Sequence, residues 1–294
     1  ENTSELGQIQ VIKTSEGYSS VNGLPAGTPL SGAIFAVYDK QNNVVDKFQT
    51  NENGIGSSKK LPLGIYTVKE VQAPANYGLN PTVFTADIEF AGQVVKLNVT
   101  DPVITAGVSI KKTGYAQTMN NNVMRWTVSG VRNDSTTSLQ SFYWRDTLPT
   151  DAVRLTRLVT GTYSTTQTYK VTFTTNLNSQ WRTAYDNLST AKNYTLDMSS
   201  AALGLASNEY VTQFMLSFGI VPAGFHQLTN ATVDAQTLYA LTNGYKFTNK
   251  ADVGGLLGGN WVQSIARWTT SVYSHYVPAK PAAPKSPKLP RTGY

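Results

Sequence analysis

The chain has 294 residues, room for two domains with cores of their own, and an unusually low charged content of 14%. Its net charge of +6 is uneven: Lys280, Lys285, Lys288 and Arg291 supply four of the six charges, and no acid lies beyond Val277. The body therefore has no basic stripe for nucleic acid. With no cysteine there is no disulfide framework, and no apolar run is long enough to span a bilayer. Thr, Asn, Ser, Val, Tyr and Gly dominate, long helical periodicity is nearly absent, and the class predicted is all-β.

In chain order, Gly7 to Thr14 alternates as a strand with Ile9, Val11 and Lys13 on one face. Thr28 to Asp39 reads as a second strand with Ala33, Phe35 and Val37 inward, and Asn51-Glu52-Asn53-Gly54 as a turn. Leu61 to Glu70 ends in a strand, Ala73 to Tyr77 is a loop, and Thr82–Phe90 with Gln93–Asp101 is predicted to be a closing hairpin. This run resembles the CnaB-type (SpaA-like) pilin domain. The resemblance is carried by Val11-Ile12-Lys13-Thr14, Pro29-Leu30-Ser31-Gly32-Ala33-Ile34-Phe35, Leu63-Gly64-Ile65-Tyr66-Thr67-Val68-Lys69-Glu70 and Ala73-Pro74-Ala75-Asn76-Tyr77. It implies a β-sandwich closed by a self-formed isopeptide bond.

Parity gives the same three groups. Lys13 shares a face with Ile9 and Val11, Glu70 with Tyr66 and Val68, and Asp101 with Val95, Leu97 and Val99. Lone buried charges are too costly to keep, and burial favours the neutral forms of amines and carboxyls alike. A neutral Lys13 amine can then attack the Asp101 carboxyl carbon while Glu70 shuttles protons and water leaves. Asn98 is the alternative electrophile, although it falls on the opposite face. A buried salt bridge with no covalent bond is the competing reading.

From residue 104 the opening pattern recurs in Val108-Ser109-Ile110-Lys111-Lys112-Thr113. Strands are predicted at Arg125–Val131, Phe142–Pro149, Tyr210–Phe218 and Lys246–Val253. Leu155–Tyr163 and Tyr169–Thr175 read as a strand pair, and Ser199–Leu205 as the one short helix, capped by Asp197 or Ser199. Gly254 to Gly259 reads as a flexible loop before a closing strand, Trp261–Tyr276. Ile110-Lys111-Lys112-Thr113, Arg145-Asp146-Thr147-Leu148-Pro149 and Phe247-Thr248-Asn249-Lys250-Ala251 resemble the CnaA-like class of surface-protein sandwiches. That resemblance implies a second bond, Lys112 to Asn249, with Asp146 as proton shuttle and ammonia released. Lys111 is the alternative nucleophile if the register slips by one.

The end of the chain is a Pro/Lys/Ala spacer followed by Leu289-Pro290-Arg291-Thr292-Gly293. This matches the LPxTG sorting signal of Gram-positive surface proteins, in which a sortase cysteine attacks the Thr carbonyl, here that of Thr292. The chain is expected to be an exported portion trimmed at both ends. His226 and His275 stand apart, with no metal cluster, nucleophile motif or phosphate loop beside them, so no metal and no cofactor are expected. The five tryptophans read as core or rim residues rather than as a carbohydrate platform.

The expectation is therefore two tandem immunoglobulin-like sandwiches, 1–103 and 104–277, with a Pro-rich tail, 278–294. The resemblances imply a non-enzymatic, cell-wall-anchored pilin subunit or stalk, its isopeptide chemistry turning over once. Its implied partners are a sortase and peptidoglycan or another pilin subunit, with no nucleic acid and no membrane in the mature form. The alternative is an adhesin whose second domain binds a host protein or glycan through the aromatic-rich segment from Leu155 to Phe225.

Overall fold

The computed structural model describes residues 5–118 and 123–272. The sorting pattern at 289–293, Lys280 and His275 lie outside them. Among the described residues every regular element is a strand. The first eight are β1 (Leu6–Ser15), β2 (Ile34–Tyr38), β3 (Val44–Gln49), β4 (Ile55–Ser57), β5 (Leu61–Pro62), β6 (Gly64–Gln72), β7 (Val83–Ile88) and β8 (Val94–Asp101). They build two facing sheets: β4-β1-β5 with β8 added on β1, and β3-β2-β6-β7. Ile9, Val11 and Val99 of one sheet meet Phe35, Val37 and Val68 of the other in a closed apolar cluster.

The remaining strands are β9 (Val108–Gly114), β10 (Val123–Asn133), β11 (Leu139–Thr147), β12 (Val153–Val159), β13 (Thr162–Tyr163), β14 (Thr168–Thr175) and β15 (Arg182–Ser189). They continue with β16 (Thr195–Asp197), β17 (Val211–Val221), β18 (Gln227–Thr229), β19 (Ala231–Thr237), β20 (Lys246–Leu257) and β21 (Asn260–Ser271). A five-stranded sheet, β16-β12-β19-β10-β9, faces a six-stranded one, β15-β14-β17-β11-β20-β21. Between them lies an aromatic core in which Trp126, Trp144, Phe142, Phe214 and Phe225 are buried. The all-β, two-sandwich architecture is the one that the alternation of the sequence predicts.

Several local expectations need correction. β7 and β8 are not a hairpin. β7 pairs with β6, whereas β8 crosses to the other sheet and runs parallel to β1, Val94–Asp101 in register with Gln8–Ser15. The connecting loop is captured by β1 itself, where the Gly92 amide donates to the Leu6 carbonyl and the Gln8 amide to Gln93, both at 2.8 Å. Residues 28–33 do not extend β2, because the Ser15 and Leu30 amides tie this segment to the end of β1. β12 and β14 likewise belong to opposite sheets, the chain crossing between them through β13.

Ser199–Leu205 is a set of turns and not a helix. The caps are present, Asp197 accepting from the Ser199 amide and Ser199 from Ala202, but the Leu205 amide already closes back on Ser200 after one turn. Gly254 and Gly255 are not loop but buried strand. A Cβ on Gly254 would meet the Tyr143 ring at 2.9 Å, and one on Gly255 would meet Leu139 at 2.9 Å. The turn itself is only Gly258-Gly259, both at positive φ. β19, central in its sheet, has no counterpart among the predicted strands; its buried Asp234 interrupts the apolar pattern.

Gly54 sits at φ +74°, and a Cβ there would lie 2.4 Å from the Lys13 carbonyl oxygen. The Lys13 amide also donates to the Gly54 carbonyl at 2.7 Å, so the backbone cannot retreat without breaking that bond. Gly54→Ala is expected to cost the first sandwich about 2 kcal/mol or more, a fall of roughly 10 °C in Tm. Thermal denaturation followed by far-UV circular dichroism measures it, and an unchanged Tm would contradict the packing described.

Candidate cross-linking sites

In the first sandwich β1 alternates strictly, so Lys13 follows Ile9 and Val11 into the core, and all three are fully buried. The parallel register sets Lys13 opposite Val99; Asp101 is two residues further on, therefore on the same face. Glu70 enters from the opposing sheet on β6, after Tyr66 and Val68. The Lys13 ammonium donates to Asp101 Oδ1 and stands 3.1 Å from Glu70 Oε1, with all three side chains inaccessible to water. The Phe35 ring, 5.4 Å from the nitrogen, forms another wall. Asn98 is exposed on the other face, opposite Ile12, and is not brought to Lys13.

Asp101 is the perturbed group here. Burial pushes its carboxyl up to about 7, the hydrogen bond from Lys13 opposing that and the nearby Glu70 adding to it. Asp101 Oδ2 has no hydrogen-bond partner among the described residues. A neutral carboxyl beside an amine in a dry core is the electrophile that amide formation requires. Sequence reasoning passed over Asn80, which organises the third member. Its backbone amide donates to Glu70 Oε2 at 2.7 Å, and its side chain reaches the Thr100 carbonyl at 2.6 Å. The available signal was Asn80-Pro81 before a strand, an Asx turn in which Asn80 Oδ1 accepts from the Thr82 amide.

The second sandwich repeats the arrangement with different strands. β9 is the edge of its sheet, and the residues after it are tied to β21 on the facing sheet. Trp268 Nε1 and Thr270 Oγ1 both donate to the Tyr115 carbonyl, at 3.0 and 3.1 Å. This closure carries Lys112 across to β11 and β20. Lys112 Nζ lies 2.5 Å from Asp146 Oδ2, both side chains fully buried, and 5.6 Å from the Trp126 ring. Lys111 points away, exposed, with its stem over Gly130.

Asp146 pairs with Ala251, so Asn249 is its diagonal neighbour on the same face of β20. Asn249 is fully buried, yet neither its Oδ1 nor its Nδ2 has a hydrogen-bond partner of normal geometry among the described residues. Burial raises the Asp146 carboxyl above its ordinary range. The Lys112 charge and the nearby Asn249 amide pull it partly back. An unsatisfied buried amide costs about 1–3 kcal/mol for each polar group, so Asn249 is a strained ground state.

Among the described residues no group of three or more His, Cys, Asp or Glu is placed to hold a metal. His226 is half-buried, its Nδ1 2.8 Å from the Gly224 carbonyl.

The SpaA family, described as a prealbumin-like fold domain, matches residues 7–103. The trypsin-resistant surface T6 protein of Streptococcus pyogenes serotype M6 is 32% identical over 123 residues, which is 42% of this chain and 20% of that protein. The chain thus spans only about a fifth of that relative. Among solved structures, the major pilin subunit BcpA of Bacillus cereus aligns over 91% of this chain and 69% of its own, at 15% identity and TM-score 0.30. A streptococcal ancillary pilin aligns over 93% and 64%, at 13% identity and TM-score 0.28. Likenesses this distant carry no functional assignment. The family match falls on the strands that hold Lys13, Glu70 and Asp101 and covers about a third of the chain.

Proposed function

We propose that this chain is a pilin subunit or stalk of a Gram-positive surface protein, built from two domains (1–103 and 104–277) that are each cross-linked internally by an isopeptide bond. The observation that carries this reading is the pair of solvent-inaccessible lysine sites, each facing a carboxyl group and a second electrophile or proton carrier. In the first domain the neutral Lys13 amine attacks Cγ of Asp101. Glu70, protonated at the start, gives its proton to the departing hydroxyl and takes one back from the attacking amine, so one water leaves as the N–C bond forms and Glu70 ends as the neutral acid. In the second, Lys112 attacks Cγ of Asn249, Asp146 moves the proton to the leaving amide nitrogen, and one ammonia departs.

The product state removes what the core tolerates worst. Charges become a neutral amide and a neutral acid, and the unsatisfied Asn249 amide is consumed. Lys13 and Asp101 are 88 positions apart in sequence. Closing a loop of that size stabilises a fold by about 4–5 kcal/mol through the unfolded chain's lost entropy. Because β1 and β8 are parallel neighbours, the bond ties two strands that pulling would otherwise shear apart. The SpaA domain and the partial homology to a streptococcal surface protein support a cell-surface setting. Attachment by a sortase through Thr292, to peptidoglycan or to another pilin subunit, completes the reading. The chemistry is single-turnover and intramolecular, so the role is structural and not enzymatic.

Lys13→Ala is expected to lower the unfolding free energy of the first domain by at least those 4–5 kcal/mol. It should also turn a trypsin-resistant chain into one cleaved within the first hundred residues. Digestion followed by gel electrophoresis reads both alleles side by side; equal resistance of wild type and Lys13→Ala would overturn the cross-link.

The pH response separates linked from unlinked chains. Glu70→Gln keeps the shape but removes the proton carrier, leaving Asp101 a free acid whose burial, the largest cause of its shift, persists. In the folded chain Asp101 then keeps a proton that the unfolded chain releases near pH 4, so stability falls as pH rises above that value. In the linked wild type Asp101 is consumed as an amide, so its contribution to that loss is absent. Urea denaturation at pH 4.5 and 7 tests this, and identical pH dependence in the two proteins would contradict it.

A further inference from the structure

The outer face of the six-stranded sheet carries a concave site that the cross-linking chemistry does not use. A cavity of about 710 Å³ crosses it, bounded by Trp181 beside β15 at one edge and Trp261 on β21 at the other. Both indoles are exposed, at 40% and 53%. Trp126 and Trp144 are buried, and Trp268 is half-buried. The tryptophans thus divide into two roles, and the reading of all five as core or rim needs correction for this pair.

The floor is rigid. The Tyr143 ring lies in the space left by Gly254, and Trp261 stands edge-on to it at 5.8 Å and 74°. The Tyr143 hydroxyl donates to Asp252 Oδ2 at 3.0 Å and accepts from Gln263 Nε2 at 2.9 Å. Arg145 completes the network, bonding Asp252 through Nε and Nη2 at 3.0 and 2.9 Å. A platform fixed in this way loses little freedom on binding.

Charge and geometry select the ligand class. Arg145 is already neutralised by Asp252, and Lys170 shares the cavity with Asp186, so the site has no surplus charge to attract a polyanion. The lining comes from sheet faces, where backbone N–H and C=O groups are committed to neighbouring strands. An extended peptide therefore finds no ladder to join across the floor between the edge strands. What remains is flat apolar surface at both ends with amide and hydroxyl groups between, including Gln263, Thr168 and Ser217. Sugar rings match this pattern: their C–H faces lie on indoles while their hydroxyls pair with polar side chains. β15 and β21 are five strand spacings apart, about 24 Å, enough for several rings in line.

We propose that this face binds an uncharged oligosaccharide, with Trp181 and Trp261 as its stacking residues. The site does not depend on the cross-link reading, and its test is read on the wild-type chain whatever that chain's mass. The full chain would be screened on a printed array of neutral hexose and N-acetylhexosamine oligomers, with sialylated and sulfated glycans and a collagen-like triple-helical peptide alongside. The strongest neutral binder would then be titrated by tryptophan fluorescence. Saturable binding of neutral oligomers is expected, weakened at least tenfold in Trp261→Ala and in Trp181→Ala, with Trp261→Phe intermediate. Both positions are exposed, so the melting temperature should not move; if one variant fails to fold, the other carries the test. No neutral binder, binding of only the acidic glycans or only the peptide, or affinity undiminished in both alanine variants would each overturn the proposal.

Discussion

A lysine ammonium facing carboxyl groups in a core closed to solvent is the constraint on which this molecule turns. Transferring such charges from water costs several kcal/mol for each ion even after relaxation, and attraction between them repays it only with full hydrogen bonding. Neither site has that: Asp101 Oδ2, Asp146 Oδ1 and both amide atoms of Asn249 lack partners among the described residues. The surrounding fold therefore holds incompletely paired amine, carboxyl and amide groups in contact. Parallel pairing of β1 with β8, the Asn80 clasp on Glu70 and closure of β9 onto β21 are the devices that hold them.

The two sandwiches reach similar arrangements by different routes. In the first, Lys13 and Asp101 come from adjacent parallel strands and Glu70 from the opposing sheet. In the second, Asp146 and Asn249 come from adjacent antiparallel strands and the lysine from the facing sheet's edge. Both place an aromatic ring, Phe35 or Trp126, between 5 and 6 Å from the lysine nitrogen. The common requirement is a dry pocket that disfavours charge, whichever strands supply it.

Much of this was legible in the sequence because strand alternation has a period of two residues. That period alone puts Lys13 with Ile9 and Val11, Glu70 with Val68, and Asn249 with Phe247, on faces that the structure buries. What alternation cannot specify is which strand lies beside which. β8 follows β7 closely enough to suggest a hairpin, yet long-range bonds to β1 decide its partner. β19 escaped notice because Asp234, paired with Arg125 and Arg157, breaks its apolar pattern. Gly254 and Gly255 resembled a loop because glycine signals flexibility locally, whereas here the missing side chains admit Tyr143 and Leu139. The groove between Trp181 and Trp261 was invisible because its members come from strands distant in sequence.

The measurement that bears most directly on the account is the intact mass of the wild-type chain under denaturing conditions, followed by tandem mass spectrometry of its tryptic peptides. Bonds between Lys13 and Asp101 and between Lys112 and Asn249 predict a mass below the sequence value by one water and one ammonia, with two branched peptides at those residues. A deficit of two ammonias would transfer the first bond to Asn98. The full sequence mass, with all four residues recovered in linear peptides, would contradict the account and leave both sites as buried ion pairs.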